Sequence, residues 1–142
     1  MPNWCENRVT VSGPFETVAA FYQDHVELCK RDFFHSILPM PEELRDTTKT
    51  FGGEVSKELV DKYGADNWYD WANANWGTKW DVDVDSDYYP ECDSMTLHFD
   101  TAWGPPAGVY KALCEMYPTL SITWFYDEPG MMFAGYLNTE DI

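Results

Sequence analysis

Twice in this chain a one-sided alternation of apolar and polar residues runs into a turn with proline at a helix start. That repeat narrows the available folds more than any other feature. Residues 6–11, ENRVTV, put Asn7, Val9 and Val11 on one face and Arg8 and Thr10 on the other, the period-two signature of a half-buried strand. Ser12, Gly13 and Pro14 then turn the chain into a helix whose apolar stripe is Phe15, Val18, Ala19, Tyr22, Val26 and Cys29. Much later, Met95, Leu97 and Phe99 alternate with Thr96, His98 and Asp100, and GPP at 104–106 opens a helix lined by Val109, Ala112, Leu113 and Met116.

LSITWFY, 120–126, is rich in β-forming residues, and the turn EPG at 128–130 leads into a last hairpin strand, MMFAGYL, 131–137. With WDVDV, 80–84, as the remaining strand, the order is β-α-β-β-α-β plus one C-terminal strand. This is an α+β, ferredoxin-like split βαβ arrangement, an antiparallel sheet with two helices on one face. Between the first helix and the second strand lies a helical insertion at about 30–75, with a helix expected from Val55 through Leu59 to Tyr63 after a Gly52-Gly53 break. Insertions of that length often carry function. At 142 residues, 1–142 is expected to be a single domain with this insertion as an inserted cap.

Charge narrows the function classes. Nine Lys and Arg stand against 25 Asp and Glu, a formal net charge of −16. Nucleic-acid binding neutralises phosphates with Lys and Arg, so direct binding of DNA or RNA is not expected, and anionic membranes are disfavoured for the same reason. A protein partner with a basic surface is the natural complement. Solubility of an aromatic-rich chain is the plainer use for the same charge.

Cys5, Cys29, Cys92 and Cys114 show no C-x-x-C pair and no nearby histidine spacing, so neither a zinc site nor a redox motif is written here. No secretory leader pattern precedes residue 30, and no apolar run reaches the length of a membrane span, from which a cytoplasmic protein is expected.

MPNWCENRVTVSG at 1–13, ILPMPEEL at 37–44, WANANWGTKWDV at 71–82, TAWGPP at 101–106 and EPGMMFAG at 128–135 together resemble the YubB-like family of small ferredoxin-like proteins carried by plasmids and bacteriophages. The resemblance implies the fold given above and a mobile-element product in a bacterial cytoplasm. It supplies no catalytic residues to carry over onto these positions, and no cofactor is expected.

Two constellations are candidates for function. Asp81, Asp83, Asp85 and Asp87, with Glu91 and Asp93, form an acidic stripe. As a calcium loop it fails, because Ser86 and Cys92 occupy the places of the required glycine and bidentate glutamate. No metal is therefore expected. If WDVDV is a strand, Trp80, Val82 and Val84 face the core and the aspartates project outward at roughly 6.5–7 Å intervals. That spacing is close to the spacing of phosphates along a DNA strand. A nucleic-acid-like surface that occupies the basic groove of a host defence or nucleic-acid enzyme is the sharper expectation.

The alternative is a small-ligand module built on Trp76, Lys79, Trp80 and Trp103, whose aromatic faces could stack on a flat or apolar ligand. Lys79 is the only Lys or Arg between positions 63 and 110 and is expected to pair with the surrounding carboxylates. The presumed open faces of the first and third strands show Arg8, Thr10, Thr96, His98 and Asp100, with no aromatic platform for bases. No nucleophile elbow, P-loop or dinucleotide fingerprint is present, so no enzyme activity is expected.

Overall fold

The computed structural model describes residues 3–29, 31–45, 47, 57–90 and 92–138. β1 (Trp4–Ser12) is followed by α1 (Phe15–Phe21), which widens into a π-helical turn over Tyr22–Glu27. The insertion holds α2 (Phe33–Ile37), α3 (Glu42–Arg45), α4 (Lys57–Tyr63) and α5 (Trp68–Asn75). β2 (Asp85–Ser86), β3 (Ser94–Ala102), α6 (Ala107–Met116), β4 (Ser121–Glu128) and β5 (Phe133–Tyr136) complete the chain. The sheet runs β2-β3-β1-β4-β5, and all four neighbouring pairs are antiparallel. That is the split βαβ order with β5 added outside β4.

The period-two expectations hold on the long strands. Val9 and Val11 of β1, Met95, Leu97 and Phe99 of β3 and Trp124 of β4 are buried together with Val18 and Phe21 of α1 and Val109, Tyr110 and Leu113 of α6. Of the stripe drawn on the first helix, Val18 and Val26 are buried and Tyr22 packs against the core, but Phe15 is exposed, and Phe21 and His25, outside the stripe, are buried. The π turn, in which Leu28 N–H donates to Gln23 O, changes the local pitch and brings both His25 and Val26 inward.

WDVDV is the main departure. Residues 81–84 carry no ladder, and the strand shrinks to Asp85–Ser86, opposite His98 and Leu97 of β3. Val82 and Val84 do turn inward, but Trp80 does not. The insertion packs its own side chains into the sheet's core: Phe33, Phe34, Leu44, Trp71, Ala72 and Trp76 belong to the same buried cluster. Of the helix expected from Val55, the part over Lys57–Tyr63 is present; Val55 and the Gly52-Gly53 break lie outside the described residues.

Asn7 and His25 are paired inside this core, whereas the buried Glu128 keeps Oε1 without a partner among the described residues. Asn7 Nδ2 donates to Cys5 O and Thr101 Oγ1, while its Oδ1 accepts from Trp124 Nε1. Burial pushes the neighbouring Cys5 thiol up to about 11, so it stays protonated. His25 bridges α2 and the end of α6. Ser36 Oγ donates to Phe33 O (2.6 Å), which leaves it to accept from His25 Nδ1–H (3.0 Å), and His25 Nε2 then accepts the Tyr117 hydroxyl proton (2.8 Å).

Burial holds this imidazole below its ordinary value of 6.5, opposed by the charge of Asp24. The unfolded chain therefore takes up a proton that the folded chain refuses. The His25 contribution is full above pH ~6.5 and is lost as pH falls toward the folded value. Urea denaturation at neutral and mildly acidic pH is expected to show a smaller acid loss in His25→Asn than in the wild type. An equal loss in both would place the acid sensitivity elsewhere.

Candidate aromatic and acidic cleft

Trp80 is the residue on which the candidate site turns. It leaves α5 through Trp76, whose indole Nε1 donates to Leu38 O at 2.8 Å and whose ring is buried in the core. Gly77 follows at φ 94°, and a Cβ there would stand 3.0 Å from Ala107 N. This left-handed residue lets the chain pass close beneath the start of α6. The chain then emerges with Lys79 and Trp80 at the surface. Lys79 Nζ lies 4.2 Å over the Trp80 ring, and among the described residues it makes this cation–π contact rather than the ion pair expected for it.

On β1, Trp4 stands next to Trp80 with ring centroids 6.0 Å apart and planes inclined by 32°. The two rings are 47% and 41% exposed, a large apolar area to leave in water beside an otherwise sealed core. They line a cleft of about 340 Å³ whose other walls include Asp81, Asp83, Asp100 and Thr101. Among the described residues no basic side chain lines it. A second cleft of about 180 Å³ lies beside Trp80 and takes in Lys79, Arg45, His35 and Trp68. The cation that touches Trp80 therefore lines that second cleft, and the Trp4 cleft is left acidic.

Of the expected acidic stripe, Asp83, Asp85 and Asp87 are exposed with Val82 and Val84 buried beside them, while Asp81 departs from it. Asp81 is drawn inward: its carboxylate accepts from the N–H groups of Phe34 (2.7 Å), His35 (3.0 Å) and Val82 (2.8 Å). Burial pushes its carboxyl above the ordinary value, and the three N–H groups pull against that shift. Asp87 Oδ1 accepts from Thr96 N–H at 2.6 Å and so fastens the short β2 edge. Asp83 lies 4.0 Å from Arg31, both side chains well exposed, a contact worth little in water. Asp85 faces His98 across the ladder, Asp93 is exposed, and Glu91 lies outside the described residues.

Of the tryptophan group, Trp76 is a core residue, Trp80 lines both clefts, and Trp103 stands outside both with an exposed ring and φ of 71°. Trp4 and Asp100 were not among the residues expected to form a site. Both lie on the outward parity of their strands, the side carrying Arg8 and His98, which is the signal that could have found them. On this open face a shallow depression of about 350 Å³ mixes Arg8, stacked 5.3 Å from the Phe125 ring centre, with His98 and the carboxylates of Glu6, Asp100 and Asp127. Its signs are mixed, and the Trp4–Trp80 cleft is the more uniform surface. Among the described residues no group of three His, Cys, Asp or Glu is placed to hold a metal ion.

The comparisons with known proteins bear on the half of the chain that carries Trp80. Residues 75–141 match the family described as the ferredoxin-like domain in Api92-like protein. The matched segment runs from the end of α5 through β2, β3, α6, β4 and β5. The crystal structure of the protein Api92 from Yersinia pseudotuberculosis superimposes with a TM-score of 0.57 at 12% identity, covering 99% of this chain and 96% of that one. At that identity the likeness to Api92 shows the fold. A search of curated proteins found no match.

Proposed function

We propose that this chain is a non-enzymatic binding protein of a bacterial mobile element, acting in the cytoplasm as the YubB-like resemblance implies. It engages a protein partner with a basic surface. The observation that carries the proposal is the exposed Trp4–Trp80 pair walled by Asp83 and Asp100, with no Lys or Arg among the described residues lining the cleft and only a solvent-exposed contact from Arg31 to Asp83 at its rim. Aromatic faces and carboxylates together suit a guanidinium or ammonium group. Lys79 already makes on Trp80 the kind of contact that a partner's arginine or lysine would make in the cleft. The net charge of −16 would draw such a partner in from a distance.

Interference with a nucleic-acid or defence enzyme through its basic groove is the sharper form of this proposal. What supports it is the set of carboxylates outside the hydrogen-bonded Asp81 and Asp87: Asp83, Asp85 and Asp93 are all exposed. A regular phosphate-like row is not part of it.

A short arginine-bearing peptide is the defined probe. Titration should quench tryptophan fluorescence, and Trp80→Ala should weaken binding about fivefold or more, the scale of a partly desolvated cation–π contact. Asp83→Asn/Asp100→Asn should weaken it further and flatten its salt dependence. Unchanged affinity in Trp80→Ala would remove the cleft from consideration.

A further inference from the structure

The two edges of the sheet are built in opposite ways. At one, β2 is two residues long, contains Asp85 and is flanked by Asp83 and Asp87, the short, charged construction that keeps foreign strands away. At the other, residues 129–138, PGMMFAGYLN, carry no charged side chain. Here Met132 is 89% and Tyr136 60% exposed, with Met131 and Phe133 also at the surface. Met132 holds φ at 59°, an uncommon conformation for a residue with a long side chain. We infer that β5 pairs antiparallel with β5 of a second copy of this chain, about a two-fold axis at Gly135.

The main chain sets the geometry. Leu137 N–H donates to Trp124 O at 2.9 Å, and Phe125 stands opposite Tyr136 in the β4–β5 register. Antiparallel ladders alternate, so Phe133, Gly135 and Leu137 direct their N–H and C=O groups toward β4, while Ala134 and Tyr136 direct theirs outward. These two positions are symmetric about Gly135. Turning one β5 onto another sets Ala134 opposite Tyr136 of the second copy, twice, so both outward pairs are satisfied and each tyrosine ring lies over an alanine.

Charge selects the occupant. A basic partner would be steered to the acidic cleft and the β2 edge, whereas two chains of −16 can approach only where neither presents charge. Among the described residues, the acids opposite β5 are Asp127 and Glu128, one strand further in, and Glu128 is fully buried. Pairing of this kind makes one continuous sheet with both Trp4–Trp80 clefts on the same side, a bivalent arrangement.

Sedimentation equilibrium and backbone amide exchange test this directly. The wild type should be dimeric by about 100 µM, and more so with added salt, since salt screens repulsion between like-charged copies. Ala134→Pro deletes an outward N–H and leaves every β4 bond in place; it should be monomeric at that concentration with unchanged circular dichroism. Tyr136→Lys, which adds like charge at the axis, should behave the same way. In the wild type the Ala134 and Tyr136 amides should gain protection as concentration rises. A wild type that remains monomeric overturns the inference, as does a dimer untouched by both variants. A monomer whose Ala134 and Tyr136 amides are protected only by an added neutral strand-forming peptide also overturns it, because the edge then serves a foreign strand.

Discussion

Gly108→Ala is expected to destabilise the protein by about 3 kcal/mol or more, at or beyond the upper end of the cost of overpacking. In a helix the same exchange ordinarily helps by up to about 1 kcal/mol, because alanine loses less backbone freedom on folding. Here the sign reverses. A Cβ built on Gly108, the second residue of α6, would lie 1.7 Å from Asn75 O and 2.8 Å from Asn75 C. Backbone gives way far less readily than the end of a side chain, so α5 and α6 must separate. The Gly108 N–H to Trp76 O bond at 3.2 Å would go with them. Urea midpoints measure the effect, and Gly104→Ala is the control, since a Cβ there meets nothing within 4 Å. Equal midpoints for Gly108→Ala and wild type would mean that the two helices do not meet as closely as described.

Asp81→Ala should cost about 2–4 kcal/mol, whereas Asp83→Ala, two residues away, should stay within about 0.5 kcal/mol of wild type. Removing Asp81 strands the N–H groups of Phe34, His35 and Val82, and Phe34 is fully buried. Asp81→Asn, which keeps one acceptor oxygen, should fall between the two. Among the described residues the ion-pair contact of Asp83 is with exposed Arg31 at 4.0 Å. Thermal or urea unfolding of the three variants decides the matter. If Asp81 and Asp83 proved interchangeable, the aspartates would again be a uniform solvated stripe.

These two aspartates mark where sequence stops being legible. Alternation within ENRVTV and MTLHF is local, and it placed Val9, Leu97 and Phe99 correctly because side-chain parity on a strand follows from the backbone alone. The same parity puts Trp4 and Asp100 outward, and the cleft they help to form was readable in that limited sense. Its other half was not. Asp81 and Asp83 look alike in sequence, but Asp81 bonds to amides 46 and 47 positions away, and no window of residues contains that partner. The ladder expected of WDVDV failed for a related reason. The Val82 N–H that a ladder would use donates to Asp81 Oδ1 at 2.8 Å instead, and that carboxylate is itself held by Phe34 and His35 of the insertion. The first helix failed more narrowly, since a π turn shifts the stripe without leaving a mark in composition.

The insertion is joined to the rest at its two ends by contacts that span long stretches of chain: Asp81 to Phe34 and His35, Trp76 to Leu38, and Gly108 to Trp76. Phe33, Phe34 and Trp71 of the insertion share one core with the sheet. Most of the tryptophan fluorescence change and the far-ultraviolet signal should therefore be lost in a single cooperative transition with coincident midpoints. Such coincidence is the expected result if the excursion between β1 and β3 unfolds with the sheet and not as a lid that opens on its own.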